Sequence, residues 1–272
     1  MSNVNYLAQF AKSFNWAGFF LPKNVYQDCS KLYAFCRVLD DLVDEKTDLE
    51  LREERFNEIK NIYKKTYEID NNDRNILNQN EHGLIVNDMI DLAYNNNIKR
   101  IILDDLIEGV GSDLKQKVYL RSVKDLLVYS YRVAGTVGLL MAKILNVQNN
   151  NALKSAIDLG IAMQLTNISR DVVEDSKNNR FYISHNFESI KETLKIANLF
   201  YESSFSSIKE IPFRFRFSII VARRVYRKIG LNIIKKKNIE NYNNSGKIYV
   251  NNISKIIQTF FDSTTLPSKW AH

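Results

Sequence analysis

Turn-forming residues are scarce in this chain, which contains only 9 Gly and 3 Pro among 272 residues. Folds built from many short strands need frequent turns, whereas long helices need few connections. A hydrophobic content of 45% is sufficient for a sizeable core. No Gly- or Pro-rich linker and no internal repeat divides the sequence. We therefore expect an all-α fold, with residues 1–272 forming a single-domain helical bundle.

Apolar residues at helical spacing mark the expected helices. These helices cover residues 3–15, 24–46, 49–67, 123–145, 153–175, 189–206, 212–237 and 251–261, with two or three more between 76 and 111. Polar turns are expected at 71–73, 95–97, 149–151 and 241–246, and an extended segment at 181–183. Gly135 and Gly138 lower the helix propensity of the 123–145 segment by ~1 kcal/mol each relative to Ala. This backbone must therefore be approached closely, and a packed helix or a bulky ligand tail would each explain the two glycines.

The net charge of +7 and the pI near 9.2 favour an anionic partner. Nucleic acid, a phosphorylated small molecule and an anionic membrane surface all satisfy this requirement. Ten Lys or Arg residues lie between Lys209 and Lys237, with Glu210 as the single acidic residue. This basic strip is compatible with phosphate or membrane binding, and also with an ordinary solvated face.

The sequence carries no sign of export or membrane insertion. Its N-terminus lacks a signal-peptide pattern, and the longest uncharged apolar block, Val133 to Ala142, is roughly half of the ~20 residues that span a bilayer. Cys29 and Cys36 are too few for a zinc site and too far apart for an easy local disulfide. We expect a cytoplasmic protein, either soluble or bound peripherally to the inner face of the cell membrane.

Acidic residues interrupt an otherwise apolar helix between Tyr33 and Asp44. With ~3.6 residues per turn, Asp40 and Asp44 lie on one face of this helix. Arg37 and Tyr33 lie on the same stripe, one and two turns earlier. Two neighbouring carboxylates in an apolar setting repel each other unless protons or cations lie between them. Taken alone, the stretch is equally compatible with a divalent metal site and with a solvated acidic helix end.

A second acidic face lies on the helix expected at 153–175. Asn167, Asp171 and Asp175 follow one another at four-residue spacing, with Gln164 and Arg170 beside them. Two such helices facing each other would form an oxygen-lined cage. Oxygen ligands without His or Cys select hard cations, chiefly Mg²⁺ or Mn²⁺, whose coordination substrate phosphates complete. Because no glycine-rich nucleotide loop is present, the cage favours metal-assisted departure of a diphosphate.

Three segments of the sequence resemble the signature regions of the squalene/phytoene synthase family. They are Tyr33–Asp44 (YAFCRVLDDLVD), Tyr129–Gly138 (YSYRVAGTVG) and Gln164–Asp175 (QLTNISRDVVED). Shorter matches are Ser13-Phe14, Leu21-Pro22, Leu106–Gly109 with Asp113, Arg180–Tyr182, Tyr226–Gly230 and Leu266–Trp270. The matches cover nearly the whole chain in order, and the last two look most like bacterial phytoene synthases.

This resemblance implies an isoprenoid synthase fold with a central cavity. It also implies the head-to-head condensation of two geranylgeranyl diphosphates to phytoene through a cyclopropyl diphosphate intermediate, with Mg²⁺ and without NADPH. Squalene or dehydrosqualene synthesis from farnesyl diphosphate stays open, because the depth of the tail channel decides between them. A non-catalytic lipid-binding or assembly protein of the same fold would have no reason to keep every carboxylate. Nucleic-acid binding would leave two acidic faces unexplained, so we expect no nucleic-acid partner.

The resemblance assigns roles to individual residues as well. The implied Mg²⁺ ligands are Asp40, Asp44, Asn167, Asp171 and Asp175, and the implied residues around the reacting centre are Tyr129 and Gln164. The implied substrate-binding residues are Phe14, Tyr33, Arg37, Val133, Ala134, Gly135, Val137, Arg170, Arg180, Tyr182, Tyr226 and Lys247. Lys247 stands where the family pattern favours arginine, and lysine lacks the bidentate fork of a guanidinium.

Overall fold

The computed structural model describes residues 21–69 and 80–250. Within these ranges the chain is predominantly helical, which confirms the all-α prediction. The helices expected at 3–15 and 251–261, the turn expected at 71–73 and the side chain of Phe14 lie outside the described residues. The single domain expected over residues 1–272 stays a prediction for the same reason.

The described residues form ten α-helices, two very short strands and two tighter or wider helical turns. The first four helices are α1 (Lys23–Asp44), α2 (Leu49–Glu68), α3 (Glu81–Asn95) and α4 (Arg100–Gly111). The middle of the chain forms β1 (Val118–Tyr119), α5 (Val123–Ser130), a π turn (Tyr131–Gly135), α6 (Thr136–Ile144) and α7 (Asn150–Lys177). The remainder forms β2 (Arg180–Phe181), α8 (Phe187–Phe205), a 3₁₀ turn (Ile208–Glu210), α9 (Phe213–Ile234) and α10 (Ile239–Asn243).

Most of the long helices begin close to their predicted positions. α1 starts directly after Pro22, one residue before the predicted start at 24, because the fixed φ of proline suits the start of a helix. α7 starts after Asn149, whose side-chain oxygen accepts hydrogen bonds from the backbone N–H groups of the next turn at 2.8 and 3.2 Å. Asparagine caps of this kind satisfy donors that have no partner within the helix.

α7 is the central helix, in contact with α6, α8, α9 and the π turn. Its buried residues lie on several sides of the helix rather than along one stripe. Thr166 and Ser169 are fully buried, and each donates its hydroxyl to the carbonyl one turn earlier at 2.8 Å. Because these hydroxyls are satisfied inside the helix, α7 carries polar residues through the apolar core at little cost.

The helix predicted over 123–145 is confirmed as one helical segment that ends at Ile144, but an unpredicted π turn at Tyr131–Gly135 interrupts its α-helical hydrogen bonding. The interruption lies where α7 approaches most closely. A Cβ atom on Gly160 would lie 2.1 Å from the carbonyl oxygen of Ala134, and one on Gly138 would lie 2.1 Å from that of Ala156. The two helices therefore touch through their backbones, and tight helix packing explains Gly138. π turns are a common adjustment of helices at such sites.

Two residues of parallel strand pairing connect distant parts of the chain. Val118 pairs with Arg180, and Tyr119 pairs with Phe181. The extended segment predicted at 181–183 thus begins one residue earlier, and its partner β1 was not predicted because two residues carry no detectable period. The pairing matters for the site, since it fixes the backbone from which Arg180 and Tyr182 project.

Replacing Gly160 by alanine should destabilise the protein, because the new methyl group would meet a backbone carbonyl that cannot move without displacing the π turn. We expect a loss of about 2 kcal/mol or more in the free energy of unfolding, measured by urea denaturation. Gly230→Ala on α9 is the matched control. Its nearest contact would be the flexible end of Leu194 at 3.2 Å, so a change within about 1 kcal/mol is expected. Equal losses in the two variants would contradict this account of the helix contact.

Candidate active site

A largely apolar cavity of about 250 Å³ lies between α1, the π turn, α6, α7 and α9. Along α1 it extends from Cys29 to Asp40, which is roughly 16 Å at ~1.5 Å per residue. Along α7 it extends from Ala152 to Asn167. One end of the cavity is therefore polar, and its remaining walls suit a long hydrocarbon chain.

Eight of the residues predicted for the site line this cavity. Those that line it are Tyr33, Asp40, Val133, Ala134, Val137, Gln164, Asn167 and Tyr226. Gly135, predicted as part of the tail channel, instead faces α7, where a Cβ atom would meet Ile157 and Ile161 at 3.2 and 3.3 Å. Its lack of a side chain serves the helix contact rather than the cavity wall.

The first acidic face, on α1, is partly neutralised by arginines. Asp44 accepts a hydrogen bond from Nη1 of Arg180 at 2.6 Å, and the other terminal nitrogen of Arg180 reaches the carbonyl of Val43 at 3.3 Å. Arg37 pairs with Asp41 at 2.6 Å, one turn along the same helix. Asp41, whose function the sequence left undefined, therefore holds the guanidinium that was predicted to bind diphosphate.

The second acidic face, on α7, has a similar arrangement. Arg170 contacts both oxygens of Asp171, from Nε at 2.8 Å and from Nη2 at 2.5 Å. Lys247, on the loop after α10, lies 3.7 Å from Asp171 and 2.7 Å from Glu174. The predicted phosphate-binding residues Arg170 and Lys247 thus lie beside a predicted metal ligand.

A buried cluster of three side chains lies between the two acidic faces. Tyr129 and Tyr182 place their hydroxyls 2.7 and 2.8 Å from Oδ2 of Asp113, and their rings stack with centroids 4.8 Å apart. Asp113 is only 7% exposed, and its other oxygen has no hydrogen-bond partner among the described residues. The family resemblance assigned roles to the two tyrosines and none to Asp113. The available signal was an acidic residue two positions after Gly111, which ends α4.

The charge of Asp113 raises the pKa of a carboxyl on each of the two acidic faces. Burial raises the pKa of Asp40 to about 7, with a further contribution from the negative charges of Asp44 and Asp113. Burial likewise raises the pKa of Asp175 to about 7, assisted by Asp171 and Asp113. Asp40 lines the cavity and is exposed to solvent, although protein atoms surround its carboxyl group densely. The site is thus a concentration of negative charge that favours bound protons or cations.

The oxygen donors at this end of the cavity fit a hard divalent cation. The side-chain oxygen of Asn167 is buried without a hydrogen-bond partner in the described part of the chain, which leaves its lone pairs available to a cation. Across residues 21–69 and 80–250, no three His, Cys, Asp or Glu side chains lie close enough to hold a metal by themselves. An ion here would take one or two carboxylates and complete its shell with other oxygens, as Mg²⁺ does with phosphates.

Comparison with known proteins agrees with this geometry. The family model described as squalene/phytoene synthase matches residues 7–186. The chain belongs to the squalene/phytoene synthase family. A 15-cis-phytoene synthase from a Paracoccus species is 31% identical over 260 residues, covering 86% of this chain and 82% of the relative. A 4,4'-diapophytoene synthase from Staphylococcus haemolyticus is 33% identical over 180 residues, covering 65% of this chain and 59% of the relative.

Solved structures give the same fold. A dehydrosqualene synthase crystallised with a ligand superposes with a TM-score of 0.74 at 26% identity, covering 96% of this chain and 94% of that one. A squalene synthase from Alicyclobacillus acidocaldarius superposes with a TM-score of 0.68 at 17% identity, covering 86% of this chain and 90% of that one. These similarities confirm the predicted isoprenoid synthase fold, and the family membership makes this squalene/phytoene synthase homologue an enzyme of the prenyltransferase type.

The raised pKa values of Asp40 and Asp175 predict how stability depends on pH. In an unfolded chain the pKa of Asp is about 3.9, so between pH 4 and 7 the folded state binds more protons than the unfolded state. The free energy of unfolding of the metal-free protein should therefore fall as pH rises through this range. Urea denaturation in EDTA at pH 5 to 8 measures this slope. Asp40→Asn and Asp175→Asn should each reduce it and should exceed the parent chain in stability at pH 8.

Asp125→Asn is the control for this experiment, because Asp125 is an exposed aspartate in the first turn of α5. It should leave the pH slope unchanged. If the free energy of unfolding of the two site variants falls with pH as steeply as that of the parent chain, the folded structure does not raise the pKa of these two carboxyls.

Proposed function

We propose that this protein condenses two molecules of geranylgeranyl diphosphate head to head into phytoene, through a cyclopropyl diphosphate intermediate. The main support is the cavity itself, whose long apolar walls end at Asp40 and Asn167, one from each acidic helix face, with arginines paired to Asp44 and Asp171 on the same two faces. Such a site can hold hydrocarbon tails in a dry interior while the diphosphates lie at its polar end. The relatives named as phytoene synthases support this choice of substrate.

Asp40, Asp44, Asn167, Asp171 and Asp175 would hold Mg²⁺, or Mn²⁺ in its place, and the ion would neutralise the charge of the departing diphosphate. The guanidiniums of Arg37, Arg170 and Arg180, with Lys247, would bind the remaining diphosphate oxygens. All four lie beside acidic residues of the two faces in the structure. These four cations therefore already lie where they could bind the diphosphate.

The cavity residues would protect the allylic cation formed when the first diphosphate leaves. Tyr33 and Tyr226 line the cavity near its polar end and offer aromatic faces to a carbocation. Gln164 lies on the same wall, where its side chain can orient the second double bond. Tyr129 and Tyr182, fixed by Asp113, supply hydroxyls between the two diphosphate-binding faces. Each of the two steps ends in loss of a proton, so no NADPH is required.

Squalene or dehydrosqualene synthesis from farnesyl diphosphate is the second candidate. It is favoured by the superposition with a dehydrosqualene synthase and by the match to a 4,4'-diapophytoene synthase. The two candidates share every polar residue of the site and differ in the length of hydrocarbon that the cavity admits.

Incubation of the purified protein with Mg²⁺ and geranylgeranyl diphosphate, without NADPH, should yield a forty-carbon hydrocarbon detectable by mass spectrometry. Parallel incubations with farnesyl diphosphate, with and without NADPH, identify the second candidate by a thirty-carbon product, because squalene formation needs a hydride from NADPH whereas dehydrosqualene formation does not. Asp40→Asn and Asp171→Asn should lower turnover by at least about 100-fold, since each removes a carboxylate needed to hold the Mg²⁺ that would neutralise the leaving diphosphate. Asp125→Asn, on the exposed side of α5, should retain full turnover. If neither substrate yields a product, the proposed enzyme activity is refuted.

We also propose peripheral contact with an anionic membrane through the start of the basic strip. Phe213 is 78% exposed, and Lys209 and Arg214 are exposed beside it. The opposite side of the same segment, at Ile211 and Ile219, lines the apolar cavity. A hydrocarbon product in the cavity would thus be separated only by this segment from a surface that suits contact with lipid. No helix within the described residues is long and apolar enough to cross a membrane.

Co-sedimentation with vesicles tests this contact. The protein should bind phosphatidylglycerol vesicles more strongly than phosphatidylcholine vesicles, and added salt should weaken the binding. Phe213→Ser combined with Arg214→Ser should reduce the bound fraction several-fold, whereas Ile101→Ser, at a 60% exposed position on α4, should not. Equal binding by the two variants would exclude this surface.

A further inference from the structure

A second cavity, of about 450 Å³, opens beside the C-terminal end of α1. Its walls are residues 43–48, Arg52, Asp113, residues 115–116 and residues 178–180. In contrast to the first cavity, its lining is mostly polar. It shares Asp44, Asp113 and Arg180 with the reaction site described above. We call it the outer cavity.

The carboxylates of the outer cavity are largely engaged by other groups. Asp44 is paired with Arg180 at 2.6 Å. Glu45 is paired with Arg55. Asp113 accepts two tyrosine hydroxyls. Two of the four carboxylates in the lining are therefore paired with a cation, and a third is held by hydrogen bonds.

The cations of the outer cavity, Arg180 apart, lack such compensation. Within residues 21–69 and 80–250, no carboxylate lies within 4.0 Å of a charged nitrogen of Lys46, Arg52 or Lys115. Arg52 donates from Nη1 to the carbonyl of Val43 at 2.9 Å, while its buried Nε has no hydrogen-bond partner in the described part of the chain. Three positive charges thus face a cavity whose negative charges are mostly satisfied. This balance favours an anion of high charge density.

We propose that the outer cavity is a second anion site, which binds inorganic diphosphate. The guanidinium of Arg180 separates it from the reaction site, bonding to Asp44 on α1 and to the neighbouring carbonyl of Val43. A diphosphate leaving the reaction site passes from Arg180 to Lys46, Arg52 and Lys115 without losing cationic contacts. The identification of this anion as the leaving group rests on the proposed function, whereas the anion site itself rests on the charges just described.

Isothermal titration of the full chain with sodium diphosphate, in EDTA, tests the site directly. The parent chain should bind diphosphate, and Lys46→Ala combined with Lys115→Ala should raise the Kd at least about tenfold. Arg52 is left intact because its guanidinium holds the end of α1. Lys117→Ala is the matched control, since Lys117 lies two residues from Lys115 but over the ring of Phe181 at 5.0 Å, outside the outer cavity. Its Kd should change less than twofold.

Inhibition of turnover by added diphosphate gives a second readout. If product forms, the double variant should need about tenfold more diphosphate for half-inhibition, while the control variant should match the parent chain. No binding in EDTA, or a Kd that the double variant leaves unchanged, would overturn the proposed anion site. Binding that depends on the two lysines in a protein that makes no prenyl product would support the anion site and reject the proposed function.

Discussion

The backbone contact between α7 and the π turn determines the position of almost everything else at the site. Gly138 and Gly160 allow the two helices to touch, so any side chain at either position would force them apart. At this separation Val133 and Ala134 form one wall of the apolar cavity, and Gln164 and Asn167 form the facing wall. The π turn follows from the same contact, because the helix that carries Tyr129 must change its winding where α7 passes. Two glycines thus determine the width of the cavity.

This arrangement brings several carboxylates close together, and contacts from distant parts of the chain offset the repulsion between them. Asp40, Asp113 and Asp175 come from three different parts of the chain; burial raises the pKa of each, and the charge of Asp113 raises the pKa of Asp40 and of Asp175 further. Arg180 reaches back from β2 to Asp44, across 136 residues of sequence. The short strand pair is therefore more than a connection, because it fixes the cation that holds the first acidic face in place. Without metal or substrate, the folded protein tolerates its own active-site charge through such contacts.

The four-residue spacing of Asp40 with Asp44, and of Asp171 with Asp175, was sufficient to predict two acidic helix faces. Helical periodicity likewise predicted most of the helices, since both patterns are local. The sequence could not predict the π turn, which reflects contact with a helix more than twenty residues away. Nor could it predict the function of Asp113, whose tyrosine partners are 16 and 69 residues distant. The outer cavity combines three loops with parts of α1, α2 and β2, and its charge balance exists only after folding.

The ion pairs at the two acidic faces have a consequence for the order in which ligands bind. A divalent cation bound by the oxygens of Asp44 or Asp171 would compete with Arg180 or Arg170 for its carboxylate. The displaced guanidinium would then be available to an anion. Cation and diphosphate binding would thereby be linked, each increasing the affinity for the other by the same factor. The ion pairs would in this way disfavour the binding of either ligand alone.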